Sequence, residues 1–200
     1  MYDTSEKLAA LISSRICHDL ASPLGAIANG IELLELTGIG DTPEALLLSD
    51  SVKSATARLE FFRIAYGPAK PEAMVAPPIA QRTLAQNYEE RKITAHWRVL
   101  NDVPRPLVKL LFLLVQTAET TLPFGGDISV SYDHSIAQIE CQGTEIRYDT
   151  PLWAMLTDGA EPSKIPSSRV QFPLARAEAI TQGLTIDVAH SDTSLLITVR

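Results

Sequence analysis

Cysteine is nearly absent from this chain of 200 residues: Cys17 and Cys141 stand far apart with no second thiol near either. That excludes a disulfide framework or a cysteine-based zinc site, and both are expected to be inert thiols. Apolar runs are short, and none approaches the roughly 20 residues a membrane-crossing helix needs. The opening Met-Tyr-Asp-Thr-Ser-Glu-Lys has no basic region leading into an apolar one, so no membrane partner and a cytoplasmic location are expected. Basic residues are scarce as well, 17 against 24 acids for a net charge of −7, which argues against nucleic acid because phosphate contacts need concentrated positive charge. A protein partner or a small ligand fits better. His96, His134 and His190 fall in or beside expected strands with no metal-like spacing, so each is read as an ordinary surface side chain and no metal site is assigned.

What is present is a core-forming composition, 46% hydrophobic, sufficient for one domain or two small ones. Leu8, Ile12, Ile16, Leu20, Leu24, Ile27, Ile31 and Leu34 recur at steps of three and four, predicting one amphipathic helix over residues 5–37. The segment Gly38-Ile39-Gly40-Asp41 breaks it, and Thr42-Pro43-Glu44 opens a second helix with a capping hydroxyl, a first-turn proline and an early acid. Its apolar positions Leu48, Val52, Ala55, Leu59, Phe62 and Tyr66 suit a bundle seam, and Gly67-Pro68 stops it. Two antiparallel helices cannot enclose their own apolar faces, so the hairpin must pack on the rest of the chain or on a second copy.

Within the first helix lies Ile-Cys-His-Asp-Leu-Ala-Ser-Pro-Leu-Gly, residues 16–25. At about 100° per residue, His18 points away from Ile16 and Leu20, its neighbours on the apolar stripe. Around it at helical spacing lie Ser14, Arg15, Ala21, Ser22, Gly25, Ala28 and Asn29, all small or short except Arg15. Such cleared ground admits a bulky partner, and Gly25 costs the helix about 0.5 to 1 kcal/mol relative to alanine. Pro23 denies the Asp19 carbonyl its helical donor and should bend the helix one turn after His18. Read from the residues alone, His18 is either a solvated side chain beside a kink or a nucleophile: a neutral imidazole offers one lone pair, and its ordinary pKa near 6.5 keeps that form abundant. Asp19 is a candidate orienting group, although Arg15 at i−4 competes for its carboxylate.

His18-Asp19-Leu20 followed by Pro23-Leu24 resembles the H-box of sensor histidine kinases. The longer run His-Asp-Leu-x-x-Pro-x-x-Ala-Ile-x-Asn-Gly-x-Glu-Leu-Leu, His18 to Leu34, is similar to the ChpT family of histidine phosphotransferases. The resemblance implies a homodimeric four-helix bundle carrying a kinase-like second domain. It also implies a phosphoryl relay in which His18 is phosphorylated, between receiver domains of response regulators, a hybrid-kinase receiver upstream and regulators downstream. Magnesium is then expected on the partner receiver and no cofactor on this chain. Receiver docking is expected around Ser14, Arg15, Ala21, Ser22, Gly25 and Asn29.

Beyond the hairpin, residues 1–67, and a proline-rich linker, 68–77, residues 78–200 read as an α/β layer, making the whole chain α+β. Helices are expected over 79–90, 106–121, 151–156 and 170–182, and strands over 94–99, 127–132, 136–147, 184–189 and 194–199, with a turn at Asp133-His134-Ser135. That order resembles the ATP-binding domain of histidine kinases, but its nucleotide motifs are degraded. Leu113 and Thr117 stand where the resemblance places magnesium-holding asparagines. Cys141 stands for the adenine-reading acid, and in Gly143-Thr144-Glu145 a carboxylate replaces the second glycine, where it would repel phosphates. No Gly-x-Gly cradle precedes the helix at 170–182. A retained fold without nucleotide binding is expected. Two other functions stay in competition: a non-catalytic dimeric adaptor that sequesters regulators, and an active ATP-dependent kinase core.

Overall fold

The computed structural model describes residues 2–38, 40, 42–89, 92–133, 135–160 and 165–200, with side chains from residue 8 onward. The turn residue His134 lies outside the described residues, as do Ile39 and Asp41 of the interhelical segment. Two compact units result, Met1–Pro68 and Ala69–Arg200.

The first unit is a hairpin of α1 (Tyr2–Leu36) and α2 (Pro43–Ala65) packed on each other. α1 runs through Pro23 as one continuous helix. Thr42 caps α2 by accepting a hydrogen bond from the Ala45 amide at 3.2 Å, with Pro43 at the first position, so the expected start signals act as read.

Burial corrects the expected seam. On α1 the sheltered residues are Ala10, Ser13, Ser14, Cys17, Leu24, Ala28 and Ile31, whereas Leu8, Ile12, Ile16, Leu20, Ile27 and Leu34 are exposed. On α2, Ala45, Ser49, Val52, Leu59, Phe61 and Ala65 are buried while Leu48 and Phe62 are exposed. The hairpin contact thus uses the sector next to the apolar stripe. Small side chains in that sector let two backbones approach, and the larger aliphatic groups stand beside them.

The second unit is one five-stranded sheet with helices against it. β2 (Ile93–Trp97), β4 (Gly126–Tyr132), β5 (Ala137–Gln142), β7 (Ser194–Val199) and β6 (Ile186–His190) lie in that order across the sheet. β2 and β4 are parallel and the other pairs antiparallel. Strict alternation turns Ile93, Ala95 and Trp97 inward on β2, matched by Ile128 and Val130, Ile139 and Cys141, and Leu195 and Ile197. α4 (Arg105–Glu119) packs on β4 and β5 and is buried nearly all round, from Leu107 to Ala118. α3 (Pro77–Tyr88) lies on β2. α6 (Gln171–Thr181) contacts both α4 and α5 (Thr150–Thr157). A Lys109–Glu178 ion pair at 2.7 Å joins α4 to α6, and Arg176 donates to the Leu156 and Thr157 carbonyls at the end of α5.

Three departures from the sequence reading have simple causes. β5 ends at Gln142 rather than at 147 because β7 begins at Ser194, opposite Gln142, leaving no ladder beyond. The freed amides of Gly143, Ile146 and Arg147 donate instead to Thr193, Asp192 and Thr121 carbonyls. A two-stranded pair of β1 (Met74–Val75) and β3 (Val103–Pro104) was not anticipated, being too short to show a period. β6 starts two residues late, after Gly183 ends α6 in the left-handed region at φ +69°.

Candidate functional site

Viewed down its axis, α1 divides into three sectors at about 100° per residue. Cys17, 4% exposed, centres the sector that faces α2. Turning one way brings the exposed stripe of Ile12, Ile16, Leu20, Ile27 and Leu34. His18, one residue on from Cys17, lies the other way, and its side chain is 82% exposed.

Most of the expected neighbours of His18 share that open sector, although Ala28 is half-buried towards α2. Arg15, Ala21, Ser22, Gly25 and Asn29 are all exposed, while Ser14 turns partly under and is half-buried at the hairpin seam. A Cβ added to Gly25 would meet no atom within 4 Å, so this glycine answers to no packing demand inside one chain.

The imidazole is not alone. His18 Nδ1 lies 3.2 Å from Asp19 Oδ1, and the other carboxylate oxygen, Oδ2, accepts from Arg15 Nε at 2.8 Å. Hydrogen bonds from His18 and then Arg15 hold the Asp19 carboxyl below its ordinary range, so at neutral pH it is ionised and only accepts. A hydrogen bond to that carboxylate requires the proton on Nδ1, and in the neutral ring this tautomer carries its lone pair on Nε2. The Arg15–Asp19 contact was legible from its i, i+4 spacing. The His18–Asp19 contact was not, because adjacent helical residues point about 100° apart and meet only when both side chains lean together in open solvent.

In the second unit, His96 is exposed on β2 as expected. His190 is exposed too, but it stacks on Tyr148 with ring centroids 3.9 Å apart, and Tyr148 stacks in turn on Trp153. No sequence spacing announced that column. Leu113 and Thr117 are fully buried on α4, and the Thr117 hydroxyl donates to the Leu114 carbonyl at 2.7 Å. Cys141 sits inside the sheet opposite Ile128 and Leu195, and burial, aided by Glu140, pushes its thiol up to about 12. A Cβ on Gly143 would come within 2.8 Å of Leu122 Cδ2 and 3.2 Å of the Gly125 carbonyl oxygen, so a larger residue there requires the Leu122 side chain to shift. No cluster of metal-ligating side chains occurs among the described residues, and none of their helices is long and apolar enough to cross a membrane.

Comparison with known proteins agrees with this geometry. Residues 79–194 match the model of the histidine phosphotransferase C-terminal domain. The protein phosphotransferase ChpT of Brucella abortus (strain 2308) is 35% identical, with 92% of each chain covered. A solved bacterial phosphotransferase superposes with a TM-score of 0.72 at 30% identity, covering 96% of this chain and 95% of that one. On this family model and these relatives, the chain belongs to the ChpT-type histidine phosphotransferase family.

Proposed function

We propose that His18 is the phosphoryl carrier of this phosphorelay protein, taking the group from an aspartyl phosphate on one receiver domain and passing it to the aspartate of another. The observation that carries this reading is an exposed imidazole whose Nδ1 is engaged by Asp19 at 3.2 Å, leaving Nε2 open. In the forward step the Nε2 lone pair forms the N–P bond as the P–O bond to the receiver aspartate breaks, and the electron pair returns to that carboxylate. The ring becomes positive, with its Nδ1 proton held on Asp19. In the second step the protonated ring is a good leaving group: the N–P bond breaks, its electrons return to Nε2, and the new aspartate takes the phosphoryl group. Phosphoryl transfer depends on positioning and charge neutralisation, so a sparse site suffices, with magnesium supplied on the receiver.

The same reading makes the protein a homodimer. The stripe of Ile12, Ile16, Leu20 and Ile27 is too apolar and continuous to be left in water, and a second hairpin would cover it as a four-helix bundle while His18 stays on the outer sector. Receivers would then dock over Arg15, Ala21, Ser22, Gly25 and Asn29, with Ser14 at the margin. A cytoplasmic setting, shared with such partners, completes the proposal.

The test is incubation of the purified protein with a phosphorylated receiver. An acid-labile, base-stable label on the wild-type chain, absent from His18→Gln at unchanged oligomeric state, is the expected result. Labelling that survives in His18→Gln, or receiver binding with no label on the wild type, would reject the carrier role.

A further inference from the structure

The contact between Arg15 and Asp19 has no structural duty to explain it. Both side chains are exposed, Arg15 by 77% and Asp19 by 50%, so the pair buries little and holds no two elements together. Its effect falls on a third group. Asp19 has two carboxylate oxygens, and each is in use: Oδ2 takes Arg15 Nε at 2.8 Å and Oδ1 faces His18 Nδ1 at 3.2 Å. Arg15 is one helical turn before Asp19 on the same outer sector, where a guanidinium can reach the far oxygen without covering the ring.

We propose that Arg15 is a positioning residue: by holding one oxygen of Asp19 it keeps the other on His18 Nδ1, and so keeps Nε2 presented as the nucleophilic atom. The inference rests on His18 being the phosphoryl carrier, and it assigns Arg15 a role apart from receiver docking. A lone carboxylate on the following residue has several rotamers and would visit the ring only part of the time. Anchored from behind, it stays. Ionised Asp19 is an acceptor that steadies the Nδ1 proton through both half-reactions without removing it. Loss of Arg15 should therefore slow transfer to and from His18 alike.

The experiment compares Arg15→Ala, Arg15→Lys, Asp19→Asn and Arg15→Ala/Asp19→Asn in the full-length protein. Long-range proton–nitrogen NMR at about pH 8, where an ordinary imidazole is neutral, reads the tautomer of His18 without any phosphate present. Single-turnover transfer at saturating receiver reads the rate, and titration reads receiver affinity. Arg15→Ala is expected to shift the ring toward the Nε2–H tautomer and, at saturating receiver, to slow transfer about two- to fivefold, the scale of an exposed charge-assisted contact, in addition to any loss of docking affinity. Arg15→Lys, which can still pair at i, i+4, should restore most of the rate. In the Asp19→Asn background the further loss of Arg15 should cost nothing. Wild-type tautomer and rate with weakened affinity would make Arg15 a docking contact and overturn the proposal, as would equal losses in both backgrounds. Because the tautomer is read without transfer, this failure is separable from that of the carrier role, which His18→Gln alone decides.

Discussion

Cys17 and His18 are consecutive, yet one is sealed in a helix seam and the other stands open, because a single step round α1 separates them. The sequence pattern made that exposure legible, since the ring falls opposite the apolar stripe at helical spacing. It could not disclose the Asp19 contact, which depends on two solvated side chains leaning together. Cys141 illustrates the opposite limit. Its alternation on β5 puts it among Ile128 and Leu195 in the sheet interior, and burial raises its thiol from 9.0 to about 12. The sign follows: with a raised native value, the protonated thiol stabilises the fold fully below pH 9, and that contribution is lost as pH rises toward about 12. Cys141 should resist alkylation in the native protein at pH ~8 and react only after denaturation. Rapid native labelling at this position, located by peptide mass, would contradict its burial.

Among the elements, α4 and β5 bear on whether the second unit handles nucleotide. Leu113 and Thr117, set by the sequence resemblance against magnesium-holding asparagines, are fully buried, and the threonine hydroxyl is committed to its own helix. At the end of β5, Glu145 is exposed near Arg147, and Gly143 lies close to the Leu122 side chain. Calorimetric titration with magnesium–ATP is therefore expected to give no saturable heat at physiological concentration. A magnesium-dependent binding curve would refute that reading. Most elements were legible: the Thr42 cap, the first-turn proline of α2 and the apolar breadth of α4 are strong local signals, whereas Pro77 and Pro78 read as preceding the helix although they form the first turn of α3. The pair β1 and β3 was invisible because two residues carry no period, and the end of β5 was misplaced because a ladder stops where its neighbour does.

At the scale of the molecule, the α+β class was legible because two periods, 3.6 and 2, divide the chain cleanly. Which aliphatic residues pack within the hairpin was not. Leu24 and Ile31 face α2 while Leu20 and Ile27 do not, although all four share one run of three- and four-residue steps. Under the proposed dimer, Ile16→Glu places a charge in the intermolecular seam and should shift the protein to monomer, with helix content retained. Light scattering reads this directly, and an unchanged mass would remove the stripe as the contact surface. The three sectors of α1 also leave that helix no angular slack. Inserting one residue between Ile12 and Ile16 would advance everything upstream by about 100° relative to Cys17 and His18. The first turns would then offer their grease to solvent or to α2 while the imidazole stayed put. Chain length in α1 is thus a phase setting, and deletions in whole turns should be far better tolerated than single ones.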